Sequence, residues 1–357
     1  MKTTLISVLL IAGTTTFSTS ATAQDKPSQD KPSQDRPSQD RAIKVDPAIA
    51  TYTKVSGITG NLNSIGSDTL NNLMTLWAEG FNKLYPNVKI QIEGKGSATA
   101  PPALIAGTAQ LGPMSREMKG NEIDEFEKKF GYKPTVVRVA LDALAVYVHK
   151  DNPLERLTLP EVDAIFSKDR KGGLAKDLAN WGQVGLQGDW SEQAIRIYGR
   201  NSASGTYGYF KEHALYKGDF KDSVKEQPGS AAVVQSVTED KNGIGYSGIG
   251  YRTSGVKPLM VAKKAGDTYF GIDEEAVYGG KYPLARFLYV YVNKAQDRAI
   301  DPLVGEFLRY IVSAEGQQVV VKDGYLPLKA KMVEKELAKL SGAAKTGAPS
   351  EAGHKKD

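Results

Sequence analysis

A run of seven residues, Arg200-Asn201-Ser202-Ala203-Ser204-Gly205-Thr206, puts a guanidinium, several hydroxyls and a bare backbone side by side. The strand-like Ala194–Tyr198 precedes it, and a helix-like run from Tyr207 to Tyr216 follows. Ser204, Gly205 and Thr206 therefore fall where a helix starts. Helix starts expose N–H groups without partners and carry partial positive charge. Gly205 lets a ligand come close to the backbone, and Arg200 can form paired bonds to a planar or tetrahedral anion. The chemistry on offer is capture of an oxyanion such as phosphate or carboxylate. The same residues would also make an ordinary helix cap with Arg200 as a chance neighbour, and this stretch alone leaves both readings open.

Three further stretches repeat the order strand, small-residue loop, helix. Gly66-Ser67-Asp68-Thr69-Leu70 opens an amphipathic helix with Leu70, Leu73, Met74, Trp77, Phe81 and Leu84 at helical spacing, and Pro86 stops it. Strand-like Val88–Ile92 leads into Gly94-Lys95-Gly96-Ser97-Ala98-Thr99, with Pro101 and Pro102 near the start of a short helix from Ala103 to Ala106. Gln110-Leu111-Gly112-Pro113-Met114-Ser115-Arg116 then precedes a charged helix from Asn121 to Phe130. Alternating strands and helices predict α/β lobes with parallel sheets. Ligands of such sheets sit outside the carboxyl ends of the strands, where these loops lie. Four hydroxyl-bearing loops at one end favour a shared anion site over four unrelated caps.

The rest of the composition narrows the chemistry. The chain has 357 residues, of which 40% are apolar and 24% charged, an ordinary globular balance long enough for two lobes. The net charge of +5 suits an anionic ligand. Lys and Arg are interspersed with acidic residues, so no nucleic-acid partner is expected. There is no Cys, and His149, His213 and His354 show no metal-ligand spacing, so neither a metal site nor a cofactor is expected. Ser204 lies outside any nucleophile-elbow pattern and has no evident His-Asp partners, so no catalytic residue is nominated. Gly243–Tyr251 is glycine-rich but lacks the dinucleotide spacing.

The ends read as processing and linker segments. Lys2, the apolar run Leu5–Gly13 and Ala21-Thr22-Ala23 predict a cleavable signal peptide over 1–23, too short to span a membrane. No Cys follows the cleavage site, so no lipid anchor is expected. Asp25-Lys26-Pro27-Ser28-Gln29 recurs twice more up to Gln39, predicting a disordered tether over 24–45, and a disordered tail is expected over 341–357. Two strand-like stretches, Ala140–His149 and Phe287–Val292, bracket a self-contained section. They imply two crossings, a hinge and a cleft, with 46–139 and 253–340 in one lobe and 140–252 in the other.

The ordered set of the four loops resembles the phosphate-binding protein of the high-affinity phosphate ABC transporter, over roughly Ile58 to Leu328. The resemblance implies a two-lobed periplasmic binding protein fold of type II, with two hinge strands and one inorganic phosphate held in a closing cleft. It also implies a monomer that is not an enzyme and that delivers phosphate to an inner-membrane permease. Carried onto this chain, Ser67, Thr69, Leu70 and Ser97 would bind from one lobe, and Arg200, Ser204, Gly205 and Thr206 from the other. The best-studied members of the family carry an Asp in the third loop that accepts a proton from phosphate. This chain has Arg116 there, after Ser115, which leaves Asp68 as the substitute acceptor or as a residue favoured at a helix start, with Asp142 next in line. The enzyme-class alternative is a secreted phosphatase; another is an extracellular protein that binds phosphate incidentally.

Overall fold

The computed structural model describes residues 43–341. β1 (Gly60–Ile65) runs through a short 3-10 turn at Asp68–Leu70 into α1 (Asn71–Leu84), then β2 (Val88–Glu93), a similar turn at Ser97–Thr99, α2 (Ala100–Ala106), β3 (Gly112–Met114) and α3 (Gly120–Phe130). Next come β4 (Thr135–His149), β5 (Arg156–Thr158), α4 (Leu159–Phe166), β6 (Arg196–Arg200), α5 (Gly205–His213), β7 (Lys225–Gln227), α6 (Ser230–Glu239), β8 (Gly243–Gly248), β9 (Val256–Pro258) and β10 (Met260–Ala262). Then follow α7 (Glu274–Tyr278), β11 (Ala285–Val292), α8 (Pro302–Val312), α9 (Ala314–Lys322) and α10 (Ala330–Leu340).

Helix α1 shows why the apolar spacing was informative. Leu73, Met74, Trp77, Ala78 and Phe81 fall on one face and are buried, while Asn82 and Lys83 lie off it. The Trp77 indole donates to the Gly316 carbonyl at 2.8 Å, so its one polar atom is satisfied inside the core. Helix α5 ends earlier than the helix-like run from Tyr207 to Tyr216 suggests. It stops at His213, and Tyr216 and Lys217 take φ of 50° and 64°, which turns the chain out of the helix.

The two lobes meet along β4. Its residues Thr135–Ala143 pair antiparallel with β11, and Leu144–Val148 then pair antiparallel with β8. One strand thus serves both lobes, and its partner changes between Ala143 and Leu144. Nearly every residue of β4 is buried, as expected for a strand covered on both faces. The main sheet has the order β3-β11-β4-β8-β6-β7, with β9 also paired to β4. It is mixed: β6, β7 and β8 are parallel, but β4 and β11 run antiparallel to their neighbours. The separate β1-β2 pair is parallel, and Ser64 of β1 bridges to Leu111 just before β3.

Two expected boundaries shift. From the sequence, residues 253–340 belong to the first lobe, yet β9 pairs with Tyr147–His149 and β10 with β5, which places 256–262 on the far side of the partner change. Of the expected tether only residues 43–45 are described, and Ile43 and Val45 pack against the core, so ordered chain begins before Asp46. Residues 1–42, including the expected signal peptide, and 342–357 lie outside the described residues. The segment after Val45 is tied to the other end of the chain. Asp46 accepts from the Ala330 N–H at 3.0 Å, and the Ala50 carbonyl accepts from the Ala314 N–H at 2.9 Å.

A fully buried aromatic that anchors α1 to α9 gives a direct test of this core. Trp77→Ala should destabilise the protein by about 3–5 kcal/mol, read from the midpoint of urea unfolding at constant slope. A loss under about 1 kcal/mol would remove Trp77 from the core.

Candidate anion-binding site

The four loops come together. Ser67 Oγ donates to Ser115 Oγ at 3.0 Å, and Ser97 Oγ accepts from the Ser115 N–H at 3.0 Å. These contacts join the first, second and third loops. Across the cleft, Thr69 Oγ1 and Thr206 Oγ1 are 2.8 Å apart, and the Ala98 N–H donates to the Ala203 carbonyl at 3.1 Å. Ser67, Thr69, Ser97, Ser115, Ser204 and Thr206 are each at most 3% exposed. A group of hydroxyls this thoroughly removed from water is costly unless it is hydrogen-bonded.

The backbone allows this approach at two glycines. A Cβ on Gly205 would stand 2.1 Å from Ser97 Oγ and 2.6 Å from Ser115 Oγ, so no larger residue fits while the loops touch. Gly96 has φ of 115°, and a Cβ there would lie 2.4 Å from the Ala203 carbonyl oxygen. Ser204 caps α5 by accepting from the Tyr207 N–H at 3.3 Å, which leaves the N–H groups of Gly205 and Thr206 in the unpartnered first turn. Leu70 differs from expectation: its N–H donates to the Ser67 carbonyl at 3.2 Å and closes the turn.

Arg200 and Asp68 meet over this cluster. Arg200 Nη1 lies 3.1 Å from Asp68 Oδ2 and donates to Ser230 Oγ at 2.7 Å. The Ser230 N–H donates to the same carboxylate oxygen at 2.8 Å. Arg200 Nε is buried with no hydrogen-bond partner among the described residues. A buried donor left unpaired costs about 1–3 kcal/mol, and an oxyanion is the kind of acceptor that would remove that cost. No hydrogen bond among the described residues ends on Asp68 Oδ1. Asp68 is therefore more than a helix-start residue, since it crosses from the first loop to pair with Arg200 and with the start of α6.

Tyrosines brace the first loop from behind. Tyr251 donates to the Asp68 carbonyl at 2.9 Å, and Tyr325 to the Thr69 carbonyl at 2.9 Å. Burial pushes both phenols well above the usual tyrosine range, with the Asp68 charge adding to the shift at Tyr251, so both remain donors. Gly243–Tyr251, which suggests no nucleotide chemistry, thus forms a central strand and carries one of these braces.

Arg116 stands apart from the cluster. Its Nη1 and Nη2 donate to the two oxygens of Glu122 at 2.7 and 2.6 Å, and Nη1 also donates to the Glu117 carbonyl at 2.8 Å. The expected extra cation is consumed by a carboxylate in the first turn of α3. It borders a neighbouring cavity of about 630 Å³ that is also lined by Tyr209, His213 and Phe287. Asp142 is taken as well: Arg286 Nε and Nη2 donate to its Oδ2 at 2.9 and 2.8 Å. Sequence reasoning missed Arg286 and Ser230. Ser230 had a signal, since Gln227-Pro228-Gly229-Ser230 is a fifth strand-to-helix loop. Arg286 had a weaker one, as the lone charge in an apolar strand.

Comparison with known proteins gives the family of the chain. A family model described as the PBP superfamily domain matches residues 9–315, which defines the class. A phosphate-binding protein PstS of Pseudomonas aeruginosa PAO1 is 60% identical over 296 residues, covering 83% of this chain and 92% of that protein. A phosphate-binding protein PstS of Staphylococcus epidermidis RP62A is 28% identical over 265 residues, covering 73% of this chain and 77% of that protein. The fold also matches the crystal structure of an ABC-type phosphate transport receptor from Vibrio cholerae, with a TM-score of 0.57, 21% identity, and coverage of 75% of this chain and 100% of that one. The chain belongs to the PstS phosphate-binding protein family.

The tight approach at Gly205 yields a prediction about closure. With saturating inorganic phosphate, the parent protein should compact in small-angle scattering, while Gly205→Ala should keep the larger radius of gyration. Equal curves for the two proteins with phosphate would show that the loops tolerate a methyl group.

Proposed function

We propose that this chain binds inorganic phosphate between its lobes and delivers it to an ABC permease for import. The observation that carries the reading is the meeting of four hydroxyl-bearing loops with a buried guanidinium whose Nε donor is unpaired. The PstS relatives support phosphate as the anion. Thr69, Ser97, Ser204 and Thr206 would donate hydroxyl bonds to phosphate oxygens. The N–H groups at the start of α5 and the Arg200 guanidinium would supply the positive field. Ser67 and Ser115 would act in the floor, where their hydroxyls position one another.

Asp68 supplies the discrimination. Phosphate keeps at least one proton near neutral pH and sulfate keeps none. An ionised carboxylate can only accept, so Oδ1 of Asp68 would bond the phosphate proton and repel a fully ionised oxyanion. Arg116, tied to Glu122, would leave that balance undisturbed. We read the protein as a binder and not an enzyme, acting as a monomer in the periplasm after signal-peptide removal, without a lipid anchor and without a nucleic-acid partner. Among the described residues no helix is long and apolar enough to cross a membrane.

Calorimetric titration of ligand-stripped protein with phosphate, arsenate and sulfate tests the reading. Phosphate should bind and sulfate should not; absence of phosphate binding would overturn it. Arg200→Ala removes a buried charge partner, a loss of about 3–5 kcal/mol, and should weaken phosphate binding at least about a hundredfold. Asp68→Asn should keep the fold, lose the preference for phosphate over sulfate, and show measurable sulfate binding. If that variant still rejects sulfate as the parent does, the discriminating acceptor is another group.

A further inference from the structure

We infer that Arg286 is a positioning residue for the anion site, one that fixes the polarity of the Thr206 hydroxyl and ties two of the binding loops to the strand shared by the lobes. The inference rests on the phosphate reading above. Arg286 in β11 stands directly opposite Asp142 in β4, one residue before β4 changes partner. Their side chains are 1% and 0% exposed. Asp142 uses its other oxygen to accept from the Ile249 N–H at 2.9 Å, so this carboxylate has bonds to both lobes.

Stability alone does not account for such a pair. Taking two charges out of water costs as much as their attraction returns, and apolar residues of similar volume often serve equally well. What an apolar pair could not do is reach the loops. Arg286 Nη1 donates to the Ser115 carbonyl at 2.9 Å, holding the third loop. Arg286 Nη2 donates to Thr206 Oγ1 at 3.0 Å, holding the start of α5. Ser115 precedes the partner change in the chain and Thr206 follows it, so one guanidinium spans the two sides.

The bond to Thr206 has a chemical consequence. A guanidinium has donors and no acceptor, whereas a hydroxyl has one proton and two lone pairs. Thr206 Oγ1 must therefore accept from Arg286, and its single proton is directed elsewhere. On the other side of that oxygen lies Thr69 Oγ1 at 2.8 Å, within the cluster assigned to the anion. Arg286 thus makes Thr206 a committed donor toward the ligand. Asp142 cancels the guanidinium charge, so the effect is orientation and not added attraction. Tyr209, with Arg286 5.3 Å from its ring centroid, limits where the guanidinium can go.

A double-mutant cycle on full-length, ligand-stripped protein tests this, with phosphate affinity read by calorimetry and folding by the thermal midpoint. Thr206→Val should weaken phosphate binding at least about tenfold, as expected for a bond to a charged ligand. Replacing the pair with Asp142→Leu and Arg286→Met should weaken binding by a similar factor. All three substitutions together should lose little more than either alone, because Thr206 no longer points its proton at the ligand. Multiplying losses would overturn the inference, since a purely structural pair acts independently of the Thr206 hydroxyl. Should the Leu/Met variant not fold, Arg286→Lys keeps the charge without the forked geometry. It should weaken binding at an unchanged midpoint, and unchanged affinity would overturn the inference. If the parent itself takes no phosphate, the reading of the site falls and the role of Arg286 with it; if the parent binds and the cycle is additive, Arg286 alone is excluded.

Discussion

The guanidinium groups of Arg200 and Arg286 lie out of water between the lobes, and many of the contacts around them serve to satisfy them. Arg200 is 3% exposed and Arg286 5%. A cation in such a place needs a carboxylate and well-aimed acceptors, or its desolvation cost goes unanswered. Arg286 finds them in Asp142 and two loop oxygens; Arg200 finds Asp68 and Ser230 but keeps one donor free. The proposed positioning role of Arg286 and binding role of Arg200 rest on that difference. The hydroxyl cluster is placed by the same constraint, because Thr206 and Thr69 touch between the two cations' domains of influence.

The elements that place this cluster were legible where their signals are local. Helix α1 follows from apolar residues at helical spacing, and the four loop-helix junctions follow from small and hydroxyl residues that suit helix starts. The candidate site residues lie on those junctions and were legible for the same reason. What resisted was anything set by distant pairing. Strand directions depend on crossovers, so the antiparallel placement of β4 and β11 inside an otherwise parallel scheme left no mark in the periodicity. Arg286 and Asp142 stand 144 residues apart, and neither loop motif points to either of them. Residues 256–262 looked like a return to the first lobe because nothing local announces which edge a three-residue strand will join.

Arg116 shows how a residue's place can be legible while its partner is not. It occupies the third loop beside Ser115, as the loop pattern requires. Glu122, six residues on in the first turn of α3, takes up both ends of its guanidinium. A Glu at a helix start is favoured by the dipole, so the partner was visible as a helix residue without being visible as a partner. The charge that Arg116 adds to the loop is therefore cancelled within its own segment. On the proposed reading, the choice among anions then falls to Asp68 on the opposite side of the cluster.

The ends of the ordered chain meet in the same layer. The segment around Asp46 and Ala50 bonds to the starts of α9 and α10, and α1 hangs its indole on α9. The elements from β5 to β10, by contrast, form one uninterrupted stretch. During synthesis the chain emerges from its amino end, so the side of α1 that packs on α8 and α9 must wait for more than two hundred further residues before those helices exist. The intervening stretch can assemble while α1 is still uncovered. In the interval that side of α1 stays uncovered, and the order of emergence sets which half of the molecule is completed last.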